Sequence, residues 1–207
     1  MSFYSQRVRT NILPLSVGST LPEAFEEWSF TENMVDHGRA DQTCELCEQE
    51  DLRYHFQIQN ALTAKKLMVG SSCILRFGVS VFEDGARLSA ADAKRKLDRL
   101  VRQMHLDACV SALKKVAAAE NNSILANALT FFQKNKYLTP KQAFVVLWRL
   151  RKQRIEHNPS FFKINLKMQR YKDDLRDMEL SRVHAIWPAL TSSQREMALR
   201  LGHSSPT

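Results

Sequence analysis

Three of the chain's four cysteines lie between residues 44 and 73, and their spacing constrains the fold more than any other feature. Cys44 and Cys47 are two residues apart, and Cys73 follows a segment with the pattern of a β-hairpin. Backbone amides in a Cys-x-x-Cys turn can point at the sulfurs, and a third thiolate at a helix start is favoured by the helix dipole. The pattern predicts a structural zinc ion that is bound by Cys44, Cys47 and Cys73 and stabilises a small module.

A closed structural zinc site has four ligands, and two histidines are candidates for the fourth. His37 precedes Cys44 by seven residues, in a loop that is able to fold over the site. His55 lies on the polar face of the following strand, where it points either at the metal or into water. We predict His37 as the fourth ligand and His55 as the alternative. An Asp, a water molecule or the absence of zinc stays open.

A catalytic zinc is a weaker alternative, because it needs an open coordination position and a nearby general base. The carboxylates beside the cysteine pair are Glu45, Glu48, Glu50 and Asp51, and surface carboxylates on such a turn are usually solvated. The sequence contains neither a Gly-rich phosphate-binding loop nor a nucleophile elbow. We therefore predict a protein that is not an enzyme, and a zinc hydrolase or nuclease is the less favoured reading.

Composition indicates a globular protein, with 44% hydrophobic and 25% charged residues. No apolar run is long enough to cross a membrane, and the first ten residues lack the apolar core of a signal peptide. We expect a cytoplasmic protein without membrane association. In a reducing compartment its cysteines serve as metal ligands or buried thiols, and Cys109, on an apolar helix face, is expected to be a packed thiol.

Strand signals are concentrated before a turn at Glu83-Asp84-Gly85. Residues 52–58 alternate between apolar and polar side chains, as in a half-buried strand, and residues 66–69 can form the return strand of a hairpin. Short helices are expected over residues 20–28, where Pro22 lies in the first turn, and after Ser71.

Helix signals dominate after this turn. Residues 89–119 carry apolar side chains at helical spacing, and a second helix is expected to end near Asn135. Thr139-Pro140 opens a third helix through Ile155, because Thr can cap and Pro fits the first helical position. A further long helix is expected from Phe161 to Met178, and a last one between Thr191 and Gly202.

These signals predict an α+β fold that is mostly α. A zinc-stabilised hairpin module is expected over residues 1–87, and a helical bundle with a basic face over residues 88–207.

Positive charge indicates an acidic partner, since the net charge is +8 and nucleic acid is the commonest such partner. Residues 134–172 hold eleven Lys and Arg against one acid, Glu156, with aromatic residues interleaved. Lys and Arg side chains at this density on helices either align along a phosphate backbone or form solvated helix faces. We expect Trp148 and Tyr171 to lie in the core. The predicted nucleic-acid contacts are Lys141, Arg149, Lys152, Arg154, Lys163, Lys167, Arg170 and Lys172.

The turn that holds the cysteine pair is a poor candidate for a phosphate-binding surface. Residues 41–51 contain five acids and no Lys or Arg. Such a surface repels a polyanion, so contacts with nucleic acid are expected from the helices.

The N-terminal zinc module followed by helices resembles the large subunit of type IV CRISPR effector complexes. The residues that carry the resemblance are Cys44, Cys47 and Cys73, with the helices after Ser89. The resemblance implies a subunit in antiviral defence that lacks nuclease activity, binds guide RNA and backbone subunits, and contacts target duplex DNA. The Cys-x-x-Cys and Val-Gly-x-x-Cys patterns are also similar to those of uncharacterised zinc-module proteins from phages and plasmids.

The sequence thus predicts a non-enzymatic, zinc-stabilised nucleic-acid-binding protein, as a subunit of a bacterial nucleoprotein complex. Its expected partners are DNA or RNA and other protein subunits. The alternative is an adaptor or inhibitor with a structural zinc, whose basic face docks an acidic protein.

Overall fold

The computed structural model describes residues 3–206, with side chains from residue 6 onward. The fold is α+β and mostly helical, as the sequence predicts. The chain divides into two compact units, residues 1–101 and residues 102–207. The division lies inside a long helix, whereas the sequence placed the domain boundary between residues 87 and 88. The reason is that the first turns of this helix, through Leu97, pack with the N-terminal core, whereas Cys109 belongs to the C-terminal core.

The N-terminal unit combines short helices with a three-stranded antiparallel sheet of order β1-β2-β3. The predicted strand and return strand are confirmed as β2 and β3, and the short helix after Ser71 as α3. The strand β1 was not predicted. The elements are α1 (Phe3–Ile12), α2 (Leu21–Glu26), β1 (Trp28–Asp36), β2 (Tyr54–Asn60), β3 (Lys66–Val69), α3 (Ser71–Arg76), β4 (Phe82–Glu83) and β5 (Ala86–Arg87).

Strand alternation sets the core of this unit. Phe56 pairs with Val69 and Ile58 with Leu67 across β2 and β3, and all four side chains are buried. The residues between them on β2 point to the opposite face of the sheet. The three predicted cysteine ligands belong to the same apolar cluster as Phe56 and Ile58. One face of the sheet therefore carries both the core and the cysteines.

Three helices of the C-terminal unit begin after a residue whose side chain caps them. Asn122 accepts a hydrogen bond from the Leu125 amide, while Thr139 and Thr191 form capping boxes with Gln142 and Gln194. The elements are α4 (Ala90–Ala119, which begins in the N-terminal unit), α5 (Ser123–Asn135), α6 (Pro140–Lys152), α7 (Gln169–Arg176), α8 (Leu180–Ile186) and α9 (Ser192–Arg200).

The helix predicted from Phe161 to Met178 is wrong in its first half. Phe162, Ile164 and Leu166 are buried in alternation with more exposed neighbours, which is the period of an extended chain. Ile164 forms a parallel bridge with Leu138, and the helix begins only at Gln169. Every helix within residues 3–206 is too short or too polar to cross a lipid bilayer.

Candidate metal centre and basic surface

Cys44, Cys47 and Cys73 come together as the sequence predicts. The Sγ atom of Cys73 lies 3.7 Å from that of Cys44 and 3.2 Å from that of Cys47. All three sulfurs lie within 4.8 Å of one another, and each residue is at most 3% exposed. Three buried thiols at this separation form a donor set that can hold a metal ion.

The turn that carries Cys44 and Cys47 is fixed by its own backbone and by β3. The Cys44 amide donates to the carbonyl of Gln49 at 2.9 Å, and the Glu48 amide donates to the carbonyl of Cys44 at 2.8 Å. Glu45 exchanges two hydrogen bonds with Met68 of β3, one through its backbone amide and one through its carboxylate. The turn is thereby held against the strand that leads to the third cysteine.

Cys73 is brought to the same point by the chain segment that follows β3. It is the third residue of α3, and its amide donates to the carbonyl of Gly70 at 3.0 Å. A Cβ atom on Gly70 would lie 3.3 Å from Leu52, so this close approach of backbone to side chain favours glycine. The sharp connection between β3 and α3 places the Cys73 thiol beside the cysteine turn.

Electrostatics within the cluster favour one thiolate and oppose a second. A hydrogen bond from the Cys73 thiol is the largest of the effects that lower the pKa of Cys44 to about 5, against the opposing effect of burial. Backbone amides of Gly70, Cys47 and Leu46 add to this lowering. The hydrogen bond to Cys44, burial and the neighbouring negative charge raise the pKa of Cys73. Binding of a divalent cation would offset this repulsion between thiolates.

Neither candidate for the fourth ligand joins the sulfurs. The donor atoms that lie within 4.8 Å of one another include, among the described residues, no histidine nitrogen. His55 lies between Tyr54 and Phe56, which both pack in the cluster that contains the cysteines, so strand alternation turns His55 to the other face. His37 packs against His55, with ring centres 5.0 Å apart. The structure therefore brings together three of the four predicted ligands and places His37 with His55.

Cys73 also lines a cavity of about 370 Å³, together with Gln49, Ser72 and Arg76. The described residues that line this cavity include no Asp, Glu or His. Two of the acids flanking the cysteine pair are already engaged elsewhere: Glu45 with Met68, and Glu48 with Arg7, whose Nε lies 3.2 Å from the carboxylate.

The eight predicted nucleic-acid contacts differ in their surroundings. Arg149 is only 8% exposed, and its guanidinium lies 2.7 Å from the carboxylate of Glu120. Lys141 is exposed, and its ammonium lies 2.6 Å from Asp174. A carboxylate partner competes with phosphate for both cations, so these two are weaker candidates than the sequence suggests.

Five of the remaining six candidates are exposed, and Lys172 is half-buried. Within the described residues, none of the five exposed side chains has a carboxylate within ion-pairing distance. Arg170 instead lies over the ring of Tyr171 and donates to its hydroxyl at 3.0 Å. The five exposed cations are Lys152, Arg154, Lys163, Lys167 and Arg170.

The two aromatic residues that were expected in the core have different outcomes. Tyr171 is 4% exposed, which confirms that it lies in the core. Trp148 is 42% exposed, so the prediction that it lies in the core is wrong. The Arg149 guanidinium and the Lys152 ammonium each lie 5.0 Å from the centre of a Trp148 ring. Trp148 is therefore a surface aromatic residue in contact with two cations, which its helical spacing did not reveal.

Comparisons of the chain with protein-family models, with curated proteins and with solved structures found no match. The resemblance to the type IV CRISPR large subunit therefore stays a prediction.

Proposed function

We propose that the protein binds nucleic acid through residues 102–207, and that a zinc ion on Cys44, Cys47 and Cys73 stabilises the N-terminal unit. The observation that supports the first half is the distribution of charge. Residues 102–207 carry eighteen Lys and Arg against eight Asp and Glu, a net charge of +10, whereas residues 1–101 carry twelve against fourteen, a net charge of −2. The net positive charge of the chain thus comes from residues 102–207, and phosphate is the commonest partner for a unit with this excess of Lys and Arg.

The exposed cations are suited to phosphate contacts. Lys152, Arg154, Lys163 and Lys167 are solvated and lack a competing carboxylate within the described part of the chain. A polyanion that binds them releases its counterions, which makes affinity fall steeply with salt. Trp148, in contact with Lys152, offers an exposed aromatic face on which an unpaired base can stack.

Zinc is the metal that this donor set favours. Thiolates are soft ligands that select zinc and related metals over magnesium or calcium. The cavity beside Cys73 presents the polar side chains of Gln49 and Ser72 but, in its described lining, no carboxylate or imidazole that could act as a general base. We therefore assign the zinc a structural role, with the fourth position taken by water or by a group from a partner.

A salt titration tests the nucleic-acid half of the proposal. Fluorescence anisotropy would measure the affinity of the full chain for duplex DNA, single-stranded DNA and RNA between low and physiological salt. We expect steep loss of affinity with salt for at least one of them, with a slope of about 0.9 per phosphate contact on duplex DNA.

The chain offers a matched pair of variants for this titration. Lys152→Gln with Lys163→Gln removes two exposed charges from the C-terminal unit, and Lys65→Gln with Lys66→Gln removes two from the N-terminal unit. We expect the Lys152/Lys163 double variant to lower the magnitude of the slope of log affinity against log salt by about 1 to 2. The Lys65/Lys66 double variant should leave this slope unchanged. Equal losses in both pairs would show a nonspecific charge effect. Absence of binding to all three nucleic acids at low salt would favour the adaptor that docks an acidic protein.

A further inference from the structure

His37 and His55 each carry a buried nitrogen without a partner. The Nε2 atoms of both side chains are inaccessible to solvent and make no hydrogen bond. His55 as a whole is 6% exposed. Buried polar atoms in folded proteins nearly always have a partner, so each exception calls for an explanation such as a bound water or ion. Here two such atoms occur on neighbouring side chains.

The strand register explains why the two imidazoles meet. Val35 of β1 pairs with His55 of β2, and the His37 amide donates to the carbonyl of Arg53 at 3.0 Å. His37 and His55 are therefore diagonal neighbours on one face of the β1–β2 pair. This is the face opposite to the one that carries Phe56 and the cysteine cluster.

The separation of the rings fits a shared metal ion. Their centres lie 5.0 Å apart, with the ring planes at 84°. Two imidazoles that bind one zinc at about 2.0–2.1 Å with a tetrahedral angle have ring centres roughly 5 Å apart. Edge-to-face packing explains the same distance, but it leaves both nitrogens without partners.

We propose that the Nε2 atoms of His37 and His55 bind a second divalent cation of the zinc type, separate from the cysteine cluster. Neutral imidazole is the commonest protein ligand for such ions, and water completes the coordination. The ion would connect the residue after β1 to β2 and so hold the two strands together at the base of the loop that carries Cys44 and Cys47. With two protein ligands, this site binds its metal more weakly than the three thiolates do.

Metal counting on the full chain tests this proposal. Protein that retains zinc on its cysteines would be titrated calorimetrically with further Zn²⁺, and the total metal would be measured by elemental analysis. We expect two zinc ions per wild-type chain and one in His37→Asn and in His55→Asn. His184→Asn, which removes a histidine outside this pair, is the control and should keep two.

Two further measurements keep the test independent of folding and of the cysteine site. His37 is only half-buried, so His37→Asn should fold even if His55→Asn does not. Cobalt bound by thiolates gives a charge-transfer absorption, which should be the same in both histidine variants and the wild type. A wild-type chain that binds one zinc at saturation, or a second zinc that persists in both variants, would overturn the proposal. If cobalt gave no thiolate charge-transfer absorption in the wild type, this result would instead contradict metal binding by the cysteines.

Discussion

The two units differ in the length of their elements and in the composition of their cores. The N-terminal unit is assembled from short elements, with α2 and α3 of six residues and β3 of four, around a core that contains three thiols. The C-terminal unit has capped helices of thirteen residues, α5 and α6, packed with α4 around an apolar core. Short elements bury little surface each, so a cross-link contributes proportionally more to the first unit than to the second.

The loop between β1 and β2 shows what such a cross-link would do. Seventeen residues, 37–53, separate the two strands, which is long for a connection in a compact unit. An isolated bridge, Gln42 with Leu52, and the cysteine turn give this loop its order. A metal that joins the turn to α3 would limit the conformational freedom of the whole loop.

The largest expected effect is the loss of the N-terminal unit on replacing Cys44 with Ser. A structural zinc contributes on the order of 10 kcal/mol, which is comparable to the whole stability of a small domain. We expect Cys44→Ser to lose its zinc and to expose the amides of β1, β2 and β3 to solvent, while the amides of α5 and α6 stay protected. Elemental analysis and hydrogen exchange followed by mass spectrometry would measure both.

Cys109→Ser is the control for this substitution. Its thiol donates to the carbonyl of Glu156 at 3.2 Å in the core of the C-terminal unit, outside the metal cluster. We expect this variant to retain zinc. If both units lost protection together in Cys44→Ser, the contrast between a cross-linked unit and a packed unit would fail.

A smaller effect is expected from Arg149→Leu, which tests how much of the positive charge serves the fold. Leu leaves the Glu120 carboxylate without its guanidinium partner. Because Glu120 is about one-third exposed, we expect a loss of about 1–2 kcal/mol rather than the larger cost of a fully buried pair. Urea denaturation would measure this loss, and Lys152→Leu, an exposed neighbour, should change stability by less than about 0.5 kcal/mol.

The opposite pattern for Arg149 would also be informative. Unchanged stability together with a lower salt slope for nucleic-acid binding would assign this side chain to phosphate contacts, as the sequence predicted. The two measurements therefore separate an arginine that supports the fold from one that contacts a ligand.

Signals that act over a few residues were reliable in this sequence. The capping pair Thr139 and Gln142 identified the start of α6, and the alternation over residues 52–58 identified β2. The spacing of the three cysteines identified the cluster, because a Cys-x-x-Cys turn and a third thiol after a return strand converge by local geometry. For α6 and β2 the information lies within the element itself, whereas the cysteine cluster also depends on the hairpin of β2 and β3 that connects the turn to α3.

Features that depend on a distant partner were missed. β1 lacks regular alternation because its register shifts between Phe30 and Met34, so only its pairing with β2 reveals it. Residues 162–168 are not helical, because Ile164 bridges Leu138. The face of β2 on which His55 lies depends on which alternate side chains of this strand face the core. The spacing of possible metal ligands in the sequence could not show this.

The smallest expected effect concerns Lys141, whose partner Asp174 lies just beyond the basic segment that the sequence singled out. The hydrogen bond and charge of Asp174 raise the pKa of Lys141 above its usual 10.5. A raised folded-state pKa means that the pair's contribution is fully present below 10.5 and is lost as pH rises through the higher folded value. Carbon-detected NMR titration should show this midpoint above 10.5, and Asp174→Asn should lower it. An unshifted midpoint would leave Lys141 available to phosphate and add it to the exposed cations of the second unit.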